Sequence, residues 1–373
     1  MNLIYYYPME NGAPAEVGRN ILKTLLDHRD TLPFDEIKLF CKEKYASEIK
    51  NRFNLDVITY KNLNKISRHD VVHIPVLPTI LPNAKFLLYL YIKIIKKRKL
   101  IIQYHGDVRK ELQSSYKDII SLIHIVTYIF IPYLLKSVDR VITHSYYMNE
   151  IITEYGVKKS VILPNAIDDY WYGKKEENET KPKKEIDPTV FNIFYHGRLS
   201  WEKGIDILIE SFGHYAKNNP NTNIYLAGEG PQKKQLKDLC SRLDIDKKVI
   251  FLGNINKEEI IFFLKKVDVA IYPSRFDNFP LAVLEALACA NCPVYFSKNI
   301  GIYDFVIRDG FKLNSFELNV ENLNKVLDYA SCNTNRNVVN QQKKFAKNYT
   351  WDQVILKYIE VYHDVIKEQL PSL

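Results

Sequence analysis

Two doubly wound α/β domains joined by a charged segment are what this sequence predicts. Three observations carry that reading. The chain has 373 residues, more than one ordinary hydrophobic core serves. Short apolar runs alternate with longer amphipathic stretches, the pattern of βαβ units and of parallel strands buried on both faces. The alternation runs twice, with a break of linker composition between the two passes.

In the first pass, residues 3–7, 71–74, 100–104 and 140–143 read as buried strands. The break is centred on residues 173–188, in WYGKKEENETKPKKEIDP, which is charged, contains proline and is nearly free of aliphatic side chains. The pattern then restarts. Strands are expected at 190–195, 223–227, 249–252, 267–272 and 293–296, and helices at 205–215, 232–243, 258–266 and 280–290. In the first of these helices Ile205, Leu208, Ile209 and Phe212 fall at i, i+3, i+4 and i+7, a single stripe facing a sheet. A last amphipathic helix is expected over 351–370, with Val354, Ile355, Tyr358, Ile359, Tyr362, Val365 and Ile366 on its apolar side. The expected division is 1–172 and 189–350, with 173–188 as linker. In doubly wound sheets ligands bind beyond the carboxyl ends of the strands, so two such halves can share one cleft.

Composition narrows the class. Hydrophobic residues make up 46% and charged residues 26%, ordinary for a folded soluble protein. The net charge of +8 is uneven: residues 1–185 hold 29 Lys and Arg against 22 Asp and Glu, the remainder 23 against 22. An electropositive first half suits an anionic partner such as phosphate, a phospholipid surface or nucleic acid, or is simply a solvated surface. No zinc-finger, RRM or helix-turn-helix signature supports nucleic acid. Five cysteines in a chain this long make no disulfide framework and point to a reducing compartment. Cys289 and Cys292 lack a second ligand pair at zinc spacing, so packing is their expected role and no metal site is expected. The start lacks the basic lead-in of a signal peptide, and a cytoplasmic place, free or at the inner face of a membrane, is expected. Residues 119–135 are the most membrane-like, but His124 and Pro132 interrupt them, which favours a buried or interfacial helix. Residues 86–99, FLLYLYIKIIKKRK, join apolar side chains to five cations and suit peripheral contact with an anionic membrane, or a core helix with a basic end.

The chemistry concentrates in three loops of the second half. HGRLSWEKG, residues 196–204, lies between a strand and a helix, where loop amides and a helix dipole attract phosphate. Arg198 and Lys203 can hold a diphosphate there, and Gly197 and Gly204 allow close backbone approach. Gly228-Glu229-Gly230-Pro231 again follows a strand, but its spacing is not GxGxxG. PSRFDNFPLAVLEAL, residues 273–287, carries Asp277 in a loop, Pro280 in the first helical turn and Glu285 inside an otherwise apolar helix. A carboxylate in that position needs a partner, and a ribose diol or a basic neighbour would serve.

In YHGRLSWEKG, LAGEGP, VIFLGNI and YPSRFDNFPLAVLEAL, in this order and spacing, the second half resembles the retaining GT-B glycosyltransferases called family 4. The resemblance is clear over residues 190–312 and looser elsewhere. It implies two Rossmann-like domains facing across a central cleft, with the helix 351–373 packing back on the first. It implies Arg198 and Lys203 on the donor diphosphate, Glu285 on the ribose and Asp277 at the transferred sugar. Gly197, Gly228, Gly230, Asn278, Phe279, Pro280 and Leu281 complete the implied donor site. Asp277 stands where the family more often has Glu, and Asn291 where it has Gly. Gly301-Ile302-Tyr303-Asp304 replaces the usual Gly-Gly with a downstream Glu, and Ala166 replaces a frequent Gly. In the first half, Asn11-Gly12-Ala13-Pro14 resembles the N-terminal glycine loop, with Gly12 near donor phosphate or acceptor. Tyr104-His105-Gly106-Asp107 places His105 near the reacting carbon. His144-Ser145 and LPNAID are further landmarks.

The expected activity is transfer of a hexose-type sugar, with retention, from a nucleotide diphosphate sugar (a UDP- or GDP-sugar) to a hydroxyl of a glycan or lipid-linked acceptor. His105, Arg198, Lys203 and Asp277 are the expected catalytic residues. No residue presents itself as the carboxylate nucleophile of a double displacement. A same-face route assisted by the leaving diphosphate fits better, with the two cations replacing a required metal or other cofactor. A non-catalytic nucleotide-sugar-binding protein and a GT-B-like epimerase or phosphorylase are the alternatives.

Overall fold

The computed structural model describes residues 1–10, 12–77, 84–106, 129–173, 184–333 and 336–368. It divides into two compact units, Met1–Asn165 with Trp351–Leu373, and Ala166–Thr350. Among the described residues the first unit holds a seven-stranded sheet. Its strands are β1 (Asn2–Tyr6), β2 (Glu36–Phe40), β3 (Val57–Ile58), β4 (Val71–Ile74), β5 (Lys99–Tyr104), β6 (Arg140–Thr143) and β7 (Ser160–Ile162). The second unit holds a six-stranded sheet of β8 (Phe191–His196), β9 (Thr222–Ala227), β10 (Val249–Gly253), β11 (Val269–Tyr272), β12 (Val294–Ser297) and β13 (Ser315–Phe316). The orders are β3-β2-β1-β4-β5-β6-β7 and β10-β9-β8-β11-β12-β13. Neighbouring strands pair in parallel, β1 with β4 and β8 with β11 included. Both are Rossmann-like sheets. In each, the chain reverses direction across the sheet between its first and fourth strands, where doubly wound sheets bind ligands.

The sequences explain the central strands. All four residues of β4 and of β11 are buried, as Val71, Val72 and Ile74, or Val269, Ala270 and Ile271, demand when helices cover both faces. In β2 the polar Glu36 and Lys38 alternate with Ile37 and Leu39, so that strand has no continuous apolar run to betray it.

The first division differs from the 172/173 boundary read from the sequence. It falls ahead of residue 166 because the segment after it packs on the second unit. Ile167 bridges to Thr350, the Tyr170 hydroxyl donates to Glu258 Oε1 at 2.6 Å, and the Tyr172 hydroxyl donates to the Ala346 carbonyl at 2.6 Å. Trp171 is buried with its ring 6.4 Å from that of His196. The helix Trp351–Lys367 belongs to the first unit. Its stripe of Val354, Ile355, Tyr358, Ile359, Tyr362 and Val365 is buried, and the Tyr362 hydroxyl lies 2.7 Å from His73 Nδ1 on β4. Glu368 closes the helix end on Arg140 at 2.9 Å and Lys159 at 2.7 Å. Asn11, Asp107, residues 119–128 of the apolar stretch 119–135 and residues 174–183 of the expected linker lie outside the described residues. No helix of the described residues is long and apolar enough to cross a membrane.

Candidate functional site

The three loops singled out in the second half converge at the carboxyl ends of β8, β9 and β11. The first two are laced together by backbone. Gly197 N–H donates to the Ala227 carbonyl at 2.9 Å, Leu199 N–H to Glu229 at 2.9 Å, and Gln232 N–H to Leu199 at 3.0 Å. The lacing is tight enough to require glycine. A Cβ on Gly228 would lie 2.0 Å from the Gly197 carbonyl oxygen, and one on Gly230 would lie 2.2 Å from that of Leu199. Gly228 also has φ +137°, where a side chain is strained. The backbone thus forms a close-packed turn beside the exposed side chain of Arg198.

The loop after β11 is tied to the loop after β8 by charge. Arg275 N–H donates to the Glu202 carbonyl at 2.8 Å. Its guanidinium grips Asp206 with two bonds, 2.8 and 2.6 Å, donates to the Trp201 carbonyl at 2.7 Å, and lies 4.8 Å from the Trp201 ring centre. Beside that clamp, Lys203 Nζ donates to Asp277 Oδ2. The two residues expected to serve a diphosphate and a sugar are therefore ion-paired with each other. The Asp277 carbonyl accepts from Gly301 N–H at 2.8 Å, which fastens this loop to the first turn of the helix Gly301–Arg308.

Glu285 lies on the helix Leu281–Cys289. Pro280 is the cap preceding that helix, with φ −68° and ψ 116°, and so stands just outside the first turn. Glu285 Oε2 accepts from His196 Nε2 at 3.0 Å, and His196 Nδ1 lies 2.7 Å from the Tyr272 hydroxyl. A file thus runs from the buried Tyr272 and His196, at the ends of β11 and β8, to the half-buried carboxylate of Glu285. Neither His196 nor Tyr272 is assigned a role by sequence reasoning. Phe279 is buried against Phe305 and Tyr349, at 5.2 and 5.4 Å between ring centres, while Asn278 and Leu281 are half-buried beside it.

In the first unit, Gly12 caps the helix Ala13–Asp27 with φ 115°, at the end of the loop that follows β1. His105 follows β5. Its Nε2 donates to the Pro75 carbonyl at 2.7 Å, and its ring centre lies 4.4 Å from that of His144. Burial, then the neighbouring His144, holds the His105 imidazole well below its usual range. Burial likewise lowers His144 to about 4, although its bond to the Leu163 carbonyl opposes the shift. Ser145 accepts from Met148 N–H at 3.1 Å and caps the helix Tyr146–Glu154, which gives the His144-Ser145 pair a structural use.

Residues 176–349 match the family model for glycosyl transferases group 1, and residues 44–170 match that of glycosyltransferase family 4. The second half of the chain is thus similar to the glycosyl transferases of group 1, and much of the first half to those of family 4. The fold class of the chain is GT-B, shared with solved structures over nearly the whole chain. One is HepE of Anabaena in complex with UDP, at 16% identity and TM-score 0.67, covering 97% of this chain and 99% of that one. Among curated relatives, an uncharacterized glycosyltransferase of Methanocaldococcus jannaschii is 29% identical over 46% of this chain and 44% of its own length. The alpha-monoglucosyldiacylglycerol synthase of Streptococcus pneumoniae is 29% identical over 41% of this chain and 36% of its own length. The chain spans about half the length of the first curated relatives it matches, 44% and 55% for the first two.

Proposed function

We propose that this chain transfers a hexose-type sugar from a nucleotide diphosphate sugar to an acceptor hydroxyl with retention of configuration. The observation that carries the reading is the convergence of Arg198, Lys203, Asp277 and Glu285 on one glycine-lined backbone turn at the chain-reversal point of the second sheet. A uridine diphosphate donor is the first choice, supported by the UDP and UDP-glucose complexes of the Anabaena neighbour.

Each group then has a task. Glu285, fixed on one oxygen by His196, accepts hydrogen bonds from the ribose diol. Arg198 and Lys203 hold the diphosphate and stabilise charge as the sugar leaves. The Lys203–Asp277 pair is the resting form of that arrangement. An arriving diphosphate gives Lys203 a stronger anionic partner and releases Asp277 to accept from hydroxyls of the sugar. Within the first unit, burial keeps His105 neutral and its bond to the Pro75 carbonyl orients the ring. The leaving diphosphate takes the acceptor proton, since none of these carboxylates stands uncommitted as a nucleophile. The acceptor is a glycan or lipid-linked hydroxyl, the latter supported by the name of the streptococcal relative.

The test is a thermal-shift series with UDP, GDP, ADP and their sugar conjugates on the wild type and Glu285→Ala. A donor at about 100 times its Kd stabilises the folded state by about 2.7 kcal/mol. One nucleotide family should raise the melting temperature of the wild type and lose that effect in the variant. No shift with any nucleotide at saturating concentration would overturn the donor reading.

A further inference from the structure

The described residues expose few large apolar side chains, and most of these gather in one place. Leu87, Ile94 and Ile95 lie on the helical segment 84–95, and Ile129, Phe130 and Tyr133 on the helix 129–137. Ile94, Ile95 and Tyr133 are 63%, 67% and 69% exposed. The two segments are neighbours. The Tyr89 and Ser137 hydroxyls are 2.8 Å apart, and Leu88, Tyr89 and Ile92 share a buried cluster with Ile131, Leu134 and Leu135. The inner faces are therefore committed to the core, and among the described residues the outward apolar side chains remain exposed.

Charge identifies the occupant. Residues 84–98 and 129–137 contain six lysines and arginines and no acid. Two of the cations are neutralised inward, Lys85 by Glu10 at 3.1 Å and Lys93 by Asp139 at 2.7 Å. Lys97 and Lys136 are exposed and Lys96 half-exposed. Lys96 and Lys136 lie over the rings of Tyr91 and Tyr133, at 5.6 and 5.7 Å from their centres. That arrangement keeps an aromatic body and a cationic head at one level, as an interface between hydrocarbon and phosphate requires. A water-soluble partner protein would need acidic groups over a flat apolar patch. An anionic bilayer supplies both chemistries in one continuous surface.

We propose that this two-helix face docks the first unit on the surface of an anionic phospholipid bilayer, with Ile94, Ile95, Phe130 and Tyr133 entering the headgroup boundary and Lys96, Lys97 and Lys136 on lipid phosphates. The interaction is peripheral and independent of the donor site.

The experiment is flotation of the full chain with vesicles of phosphatidylcholine alone and of phosphatidylcholine with phosphatidylglycerol. Binding should require the anionic lipid and weaken as salt is raised. Lys96→Gln/Lys97→Gln/Lys136→Gln should reduce partition by on the order of a hundredfold, from about fivefold per cation near a charged surface. Ile94→Ser/Ile95→Ser/Tyr133→Ser should abolish binding while UDP still raises the melting temperature, which shows that the variant folds and keeps its donor site. Failure of the wild type to float with anionic vesicles, or equal flotation with neutral ones, overturns the proposal. So does a concentration-dependent dimer that the serine substitutions dissolve, since the face would then belong to a second copy. Absence of any nucleotide shift alongside normal flotation refutes the donor reading and leaves this one standing.

Discussion

Glu285 sits among Leu281, Val283, Leu284, Ala286 and Leu287, surroundings that penalise a lone charge, and His196 answers one of its oxygens. Glu285→Gln keeps the shape and removes the charge. A hydrogen bond to a charged group is worth about 1.5–3 kcal/mol, so donor affinity should fall roughly 10- to 100-fold with folding intact, as titration calorimetry would read. Lys203→Ala acts on a different step. It removes a cation facing the leaving group and frees Asp277, and should lower kcat by about 100- to 1,000-fold with a smaller effect on KM. Gly228→Ala belongs to stability. Its Cβ would meet the Gly197 carbonyl at 2.0 Å with φ at +137°, and a strained backbone position alone costs about 1–3 kcal/mol, so the urea midpoint should drop clearly. The sequence pointed to all three residues because each breaks a local rule: a charge in an apolar helix, a cation before a helix, a glycine in a chain with only 13. It did not point to His196, Tyr272 or the Arg275–Asp206 clamp. Those partners lie 69 to 89 residues apart and break no local rule.

At the scale of elements, strands showed themselves in the sequence in proportion to their burial. β4 and β6 have the bounds expected for them, 71–74 and 140–143, while β2, with Glu36 and Lys38, and the short β3, β7 and β13 do not stand out. The last helix was legible from its 3.6-residue stripe, and its polar anchor was not. Tyr362 looks like one more aromatic in that stripe, yet its hydroxyl meets His73 Nδ1 at 2.7 Å, and His73 Nε2 meets Gln103 Nε2 at 3.1 Å. This buried file ties the last helix to β4 and β5. Tyr362→Phe keeps the packing and leaves a buried imidazole nitrogen unanswered, which should cost about 1–3 kcal/mol. Denaturant unfolding should show a lower midpoint with an unchanged slope, because the surface exposed on unfolding is the same.

Across the whole molecule, the histidines of the first unit set a direction for its pH dependence. His73 on β4, His105 after β5 and His144 after β6 are all depressed by burial, His73 to about 3 and His144 to about 4. His73 faces Tyr5, Gln103, Tyr358 and Tyr362, and His105 faces His144 and feels Lys85. In the unfolded chain each imidazole titrates near its ordinary value of about 6.5. Between that value and the folded one the unfolded chain binds more protons, so the contribution to stability is whole above about pH 6.5 and is lost progressively as pH falls. One pH unit inside the window is worth about 1.4 kcal/mol per group, and three groups together about 4 kcal/mol between pH 7.5 and 5.5. Urea unfolding at these two values, followed by a probe in the first unit, should show a loss of that order. His144→Asn should remove about a third of it, and a stability independent of pH over this range would show that these rings are hydrated and titrate as in the unfolded chain.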